Sequence, residues 1–144
     1  MSGLIAYFGG SFDPVHRGHL VTALELVAAL KLQRLYFLPA ALSPLKNTSL
    51  TSPHRIAMLQ LAIQDQPQLA LDRRELDRPP PSYTIDTLKA LRSEHGARQP
   101  LAFIMGMDSF LSLPQWRDWR QLTDFAHLLV VTRPGYHAEF SADL

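Results

Sequence analysis

At 144 residues, 47% of them hydrophobic and 19% charged, the chain suits one folded domain and does not have the composition of a disordered segment. A formal net charge of +1 argues against a polyanion-coating protein, and the absence of cysteine removes disulfides and thiolate metal sites. No basic n-region followed by a long apolar stretch and no bilayer-length apolar run occurs, so the cytoplasm is the expected compartment.

The first element, Leu4-Ile5-Ala6-Tyr7-Phe8, reads as a buried strand. It runs into Gly9-Gly10-Ser11-Phe12-Asp13-Pro14-Val15-His16-Arg17-Gly18-His19, and the stripe Leu20, Ala23, Leu24 and Val27 then predicts a helix from about Gly18 to Leu30. A glycine turn between strand and helix brings backbone N–H groups and a helix N-terminus together, which suits phosphate. Without a Cβ, Gly9 and Gly10 would let a bulky ligand lie against the main chain. His16 and His19, three apart in the first helical turn, would project into one space. There imidazole can donate to a phosphate oxygen and, when protonated, add positive charge.

Arg34-Leu35-Tyr36-Phe37-Leu38 reads as a second buried strand, paired parallel to the first through a right-handed crossover. The loop from Pro39 to Ser49 lies where open α/β sheets bind ligands, and Lys46 is its one cation. Ser52-Pro53 is a helix start, with Ile56, Leu59 and Ile63 as the buried face. Gln68 to Asp72 predicts a short third strand continued by Arg73 to Leu76, and Pro79-Pro80-Pro81 an extended connector. A helix is expected from Ile85 to His95, capped by Ser82 or Thr84 and stopped at Gly96. The same helix start could receive a ligand carboxylate or amide.

Leu101 to Met105 is the next buried strand, ending in Gly106-Met107-Asp108-Ser109. A short helix is expected over Ser109 to Leu113, and a further helical turn from Gln115 to Trp119. Trp119 reads as a core anchor and Trp116 as a candidate for stacking on a planar ring. Ala126 to Thr132 is the last strand, and its His127 reads as structural. The architecture expected is α/β, a doubly wound parallel sheet with helices on both faces and the cleft at the C-terminal strand ends.

Gly10 to His19 resembles the G-x-F-x-x-x-H-x-G-H signature of the nucleotidyltransferase superfamily, with every fixed position filled. Pro81-Ser82-Tyr83-Thr84, Thr87-Leu88, Gly106 to Ser109, the Trp116 region, Ala126-His127-Leu128 and Arg133-Pro134-Gly135-Tyr136 extend the resemblance to the bacterial nicotinate-mononucleotide adenylyltransferases. The resemblance implies a Rossmann-like nucleotidyltransferase fold. It also implies in-line attack of nicotinate mononucleotide on the ATP α-phosphate, with Mg²⁺, giving deamido-NAD and pyrophosphate. By the same likeness His16 and His19 are catalytic, and Gly9, Gly10, Ser11, Phe12, Gly106 and Asp108 join them around ATP. Lys46, Tyr83, Thr84, Trp116 and Arg133 would hold the mononucleotide.

Two departures from the family pattern stand out. Ser43-Pro44-Leu45-Lys46 lacks the loop histidine, and nothing from Arg133 to Leu144 matches the family's later phosphate-binding motif. The expectation is therefore a chain lacking its C-terminal portion. The alternatives are a nucleotide-binding fragment without turnover, a sister enzyme such as a pantetheine-phosphate adenylyltransferase, and, last, a His-His metal site. No nucleic-acid role is expected, since no basic stripe interleaved with aromatics appears; no membrane role, since no apolar run has bilayer length; and no resident metal, since the two histidines lack a third ligand at helical spacing.

Overall fold

The computed structural model describes residues 3–40, 52–79 and 81–132. Within them the strands β1 (Ile5–Gly10), β2 (Arg34–Pro39), β3 (Leu69–Leu71), β4 (Leu101–Gly106) and β5 (His127–Val131) form one sheet in the order β3-β2-β1-β4-β5. Every pairing is parallel, with Ala6 opposite Leu35 on one side and Ala102 on the other. The chain winds outward from β1 first to β2 and β3, then returns to β4 and β5. The switch in direction therefore falls between β1 and β4, where this architecture opens a crevice at the C-terminal strand ends.

Period-two alternation divides the core between the two faces of the sheet. Ala6 and Phe8, Leu35 and Phe37, and Ala102 and Ile104 face the helices α1 (Arg17–Leu30) and α2 (Ser52–Ile63), which contribute Ala23, Leu59 and Ile63. Ile5 and Tyr7, Leu38, and Leu101, Phe103 and Met105 face α4 (Thr84–His95), which contributes Ile85, Leu88 and Leu91. Both sides of the central strands are thus covered, which is why they read as unbroken apolar runs. The fold is Rossmann-like, as expected.

Several boundaries differ from the expectation, each for a local reason. Arg73 to Leu76 does not continue β3. The last ladder bond runs from the Asp72 N–H to the Phe37 carbonyl (2.8 Å), and the Asp72 carboxylate then accepts the Arg74 N–H at 3.0 Å. That side-chain bond turns the chain into a single helical turn, α3 (Arg74–Asp77). Helix α4 is not capped by Ser82 or Thr84. Tyr83 holds the cap position in extended backbone without a side-chain hydrogen bond, Thr84 is already helical, and Ser82 stands one residue too early. Gly96 does end the helix, at φ 88°.

After β4 the helix α5 occupies Met107–Leu111, two residues earlier than expected, because it starts directly from the extended Gly106. Leu113–Gln115 and Trp119–Asp124 are 3₁₀ turns, the first containing Pro114. Trp116 and Trp119 both pack against the core on the α4 face.

Candidate active site

A cleft of about 600 Å³ opens at the C-terminal ends of β1 and β4. Its wall is built from Phe8 to Pro14 and from His16, Gly18, His19 and Thr22 of the α1 start. Gly106 to Ser109, with Val131 and Thr132, complete it. All eight residues expected around ATP, namely Gly9, Gly10, Ser11, Phe12, His16, His19, Gly106 and Asp108, therefore meet in one cavity.

The two histidines are held by each other and by the helix they begin. His16 is the N-cap of α1, and its Nδ1 accepts the Gly18 N–H at 3.1 Å. The His19 Nδ1 accepts the His16 N–H at 3.0 Å, closing a reciprocal capping box. The rings stack with centroids 3.8 Å apart at 24°. Because each Nδ1 is an acceptor, the neutral rings carry their proton on Nε2. Each then offers an N–H donor and no lone pair on that nitrogen, the arrangement that suits an anion.

The surroundings of His19 oppose its protonation. Its ring lies edge-on to Phe12 (5.0 Å) and Phe8 (6.3 Å), and this apolar burial lowers its pKa to about 4, with His16 adding a smaller push in the same direction. At neutral pH the protein without ligand therefore presents His19 as an uncharged donor.

The glycines also make room for rings of the protein itself. A Cβ on Gly9 would lie 2.6 Å from Cζ of Phe103, and one on Gly10 would lie 3.2 Å from Cζ of Phe12. The space left by each missing side chain is thus taken by a ring of the protein itself. Gly18 plays the same part for His16, whose Cε1 would lie 2.9 Å from a Cβ there. Phe12 sits at φ 45°, a left-handed conformation costing on the order of 1 kcal/mol for a residue with a Cβ. Its ring is clamped between Phe8 and Phe37 at 5.5 and 5.2 Å, which holds the turn in that shape.

Of the residues expected to hold the mononucleotide, the described ones, Tyr83, Thr84 and Trp116, do not line this cleft. Tyr83 and Trp116 belong to the core on the α4 face, with the Arg117 guanidinium 4.7 Å from the Tyr83 ring and Trp116 Nε1 donating to Ser112 Oγ at 3.1 Å. Thr84 opens α4. Lys46 and Arg133 lie outside the described residues. Conversely, Thr22 lines the cleft without having been singled out, and so do Asp13 and Ser109, which belong to the two motifs but had been given no role. Thr22 was legible in principle, three residues beyond His19 and so on the same helical face. His127 has an exposed side chain at the start of β5 and is not part of the cleft wall.

The cytidylyltransferase-like family model matches residues 7–143. Proteins named nicotinate-nucleotide adenylyltransferase are 46% identical in Psychromonas ingrahamii (95% of this chain, 64% of the relative) and 48% identical in Yersinia pestis (92% and 61%). One from Methylococcus capsulatus is 46% identical over 98% of this chain and 68% of its own length. The chain thus spans 61–68% of the length of these relatives. In structure it resembles the nicotinic acid mononucleotide adenylyltransferase of Plasmodium falciparum complexed with NaAD, with a TM-score of 0.77 at 17% identity over 94% of this chain and 67% of that one. By the extent of the family match and the identity to these relatives, the chain belongs to the cytidylyltransferase-like family, and within it is similar to the nicotinate-nucleotide adenylyltransferases.

Proposed function

We propose that the chain is the nucleotidyltransferase domain of a nicotinate-mononucleotide adenylyltransferase and joins the mononucleotide to ATP, giving deamido-NAD and pyrophosphate. The observation that carries the proposal is the pair of imidazoles at the start of α1, with Nδ1 atoms engaged in the capping box and Nε2–H as donor, within a cleft that also contains Gly106 and Asp108. The relatives' names supply the identity of the second substrate.

In the reaction a phosphate oxygen of the mononucleotide attacks the α-phosphorus of ATP. The new P–O bond forms as the bond to the β-phosphate bridging oxygen breaks, and pyrophosphate leaves with that electron pair. No covalent bond to the protein is needed, so catalysis consists of positioning and charge stabilisation. His16 and His19 would donate to the ATP phosphates as charge builds on them. Gly9 to Phe12 would form the floor, and Gly106 and Asp108 would lie beside the adenosine and the reacting groups. Tyr83, Thr84, Trp116, Lys46 and Arg133 would hold the mononucleotide, with Trp116 against the pyridine ring.

Mg²⁺ would arrive on the ATP phosphates. The cleft fits such an ion: Oδ1 of Asp13 is buried in its wall with no hydrogen-bond partner among the described residues, and Asp108 supplies a second carboxylate. Magnesium is commonly held by one or two carboxylates together with substrate phosphates. Among the described residues no three His, Asp or Glu side chains cluster to bind a metal by themselves. When bound, the ion neutralises charge on the departing pyrophosphate.

The test is pyrophosphate release from ATP and Mg²⁺ with nicotinate mononucleotide, nicotinamide mononucleotide or phosphopantetheine as acceptor, with the dinucleotide product identified by mass. Release with nicotinate mononucleotide is expected. Release with phosphopantetheine alone would mean a sister transferase. ATP binding without release under any condition would mean a nucleotide-binding role.

A further inference from the structure

Arg55 has no part in the reading so far, yet among the described residues it heads the fully buried side chains by volume, with an exposure of 0%. A guanidinium is rarely buried unless something inside the protein requires its charge. Here two main-chain carbonyls do. Arg55 Nη1 donates to the Ser11 carbonyl at 2.6 Å and to the Ala40 carbonyl at 3.1 Å. The first belongs to the turn after β1 and the second follows β2. The same two segments are joined by the Ala40 N–H, which donates to the Gly10 carbonyl at 2.8 Å. Asp13, in the same turn, contributes a carboxylate whose charge favours the guanidinium and offsets part of its burial.

The consequence reaches the cleft. A trans peptide directs its C=O and N–H to opposite sides. With the Ser11 carbonyl held by Arg55, the N–H of the same peptide, that of Phe12, is directed away from the guanidinium. A carbonyl bonded to a cation also polarises its peptide and makes that N–H a stronger donor. Phe12 is moreover the residue held at φ 45°, so the clamp acts where the backbone is least able to hold its shape unaided.

We propose that Arg55 is a positioning residue of the phosphate cleft, its buried guanidinium tying the Ser11 carbonyl to the end of β2 so that the turn from Gly10 to Asp13 is preorganised for the ATP phosphates. The inference rests on the reading of this cleft as the ATP site. It predicts an effect confined to ATP, since the Ser11 and Ala40 carbonyls that Arg55 holds lie after β1 and β2, apart from Tyr83, Thr84 and Trp116.

The experiment measures ATP and nicotinate-mononucleotide affinities by calorimetry on the full 144-residue chain and on Arg55→Lys and Arg55→Gln, alongside thermal melts. Both variants are expected to bind ATP at least about tenfold more weakly, with mononucleotide affinity within about twofold of the parent, because only the ATP contacts lose their fixed geometry. Unchanged ATP affinity in a folded variant, or equal weakening of both ligands, overturns the inference. Should neither variant fold, the amide resonance of Phe12 in the parent protein decides. It is expected to shift on titration with ATP and not with mononucleotide, and the absence of an ATP-dependent shift overturns the inference. A parent chain that binds ATP without releasing pyrophosphate defeats the proposed reaction and leaves Arg55 to be judged by ATP affinity. One that binds no ATP defeats both.

Discussion

His16 and His19 stack at 3.8 Å, and each spends its Nδ1 on a backbone N–H at the start of the helix that carries them. Fold and chemistry therefore share one pair of side chains, and substitutions can separate the two. In His19→Asn, Oδ1 occupies the position of the ring Nδ1 and keeps the cap, while the Nε2–H is lost. Its stability should stay within about 0.5 kcal/mol of the parent while kcat falls about 10²- to 10³-fold, as for loss of a charge-stabilising donor. His19→Ala should lose the rate and also about 1 kcal/mol of stability. Denaturant melts and steady-state rates check both, and an equal fall in mononucleotide affinity would defeat the charge-stabilising role.

The low pKa of His19, about 4 in the folded protein against 6.5 for the free side chain, has a definite sign in stability. Between those values the unfolded chain binds the extra proton and the folded chain does not, so unfolding gains as pH falls. The stability tied to His19 is complete above about pH 6.5, falls steadily as pH drops, and levels off below about pH 4. Glu75 acts in the opposite sense, because burial raises its pKa and its contribution is lost as pH rises. The two are separated by melts of the parent and His19→Asn from pH 4 to pH 8 in buffers free of phosphate. The variant should lack the slope assigned to His19.

Gly18→Ala isolates the space needed by the His16 ring. Alanine favours a helix over glycine by up to about 1 kcal/mol, which roughly offsets a weakened cap of similar size. The new Cβ, 2.9 Å from Cε1, must push the imidazole aside. The melting temperature should change little, and kcat/KM for ATP should drop at least about tenfold. A variant with parental activity would show that the ring can move without consequence.

Away from the cleft, Thr87 is fully buried and donates to Glu75 Oε2 at 2.7 Å while accepting from Arg78 Nη2. Thr87→Val preserves the shape and removes the hydroxyl, leaving the buried Glu75 carboxylate short of a partner. A loss of about 1–3 kcal/mol is expected in urea melts, with ATP affinity unchanged.

Much of this was legible in sequence because it depends on neighbours in the chain. Apolar runs bounded by turn residues marked all five described strands, and the stripe Ile56, Leu59 and Ile63 marked the buried face of α2. The spacing of His16, Gly18 and His19 implied a shared direction. The misreadings lay where one side-chain hydrogen bond or one residue of phase decides the outcome. The Asp72 carboxylate turned an expected strand into a helical turn, and α4 began a residue early with no side-chain cap.

What the sequence by itself determined is the alternation of apolar strands and helices, and a glycine and histidine signature at the end of the first strand. Local spacing carries that information. Only the tertiary structure decided what fills the space beside Gly9, why His19 is uncharged and what Arg55 holds. Each depends on a group distant in the chain: the Phe103 ring, the Phe8 and Phe12 walls, and the Ser11 and Ala40 carbonyls. The close approach of a ring, the removal of water from an imidazole and the sharing of one cation by two carbonyls exist only once the sheet has brought those segments together.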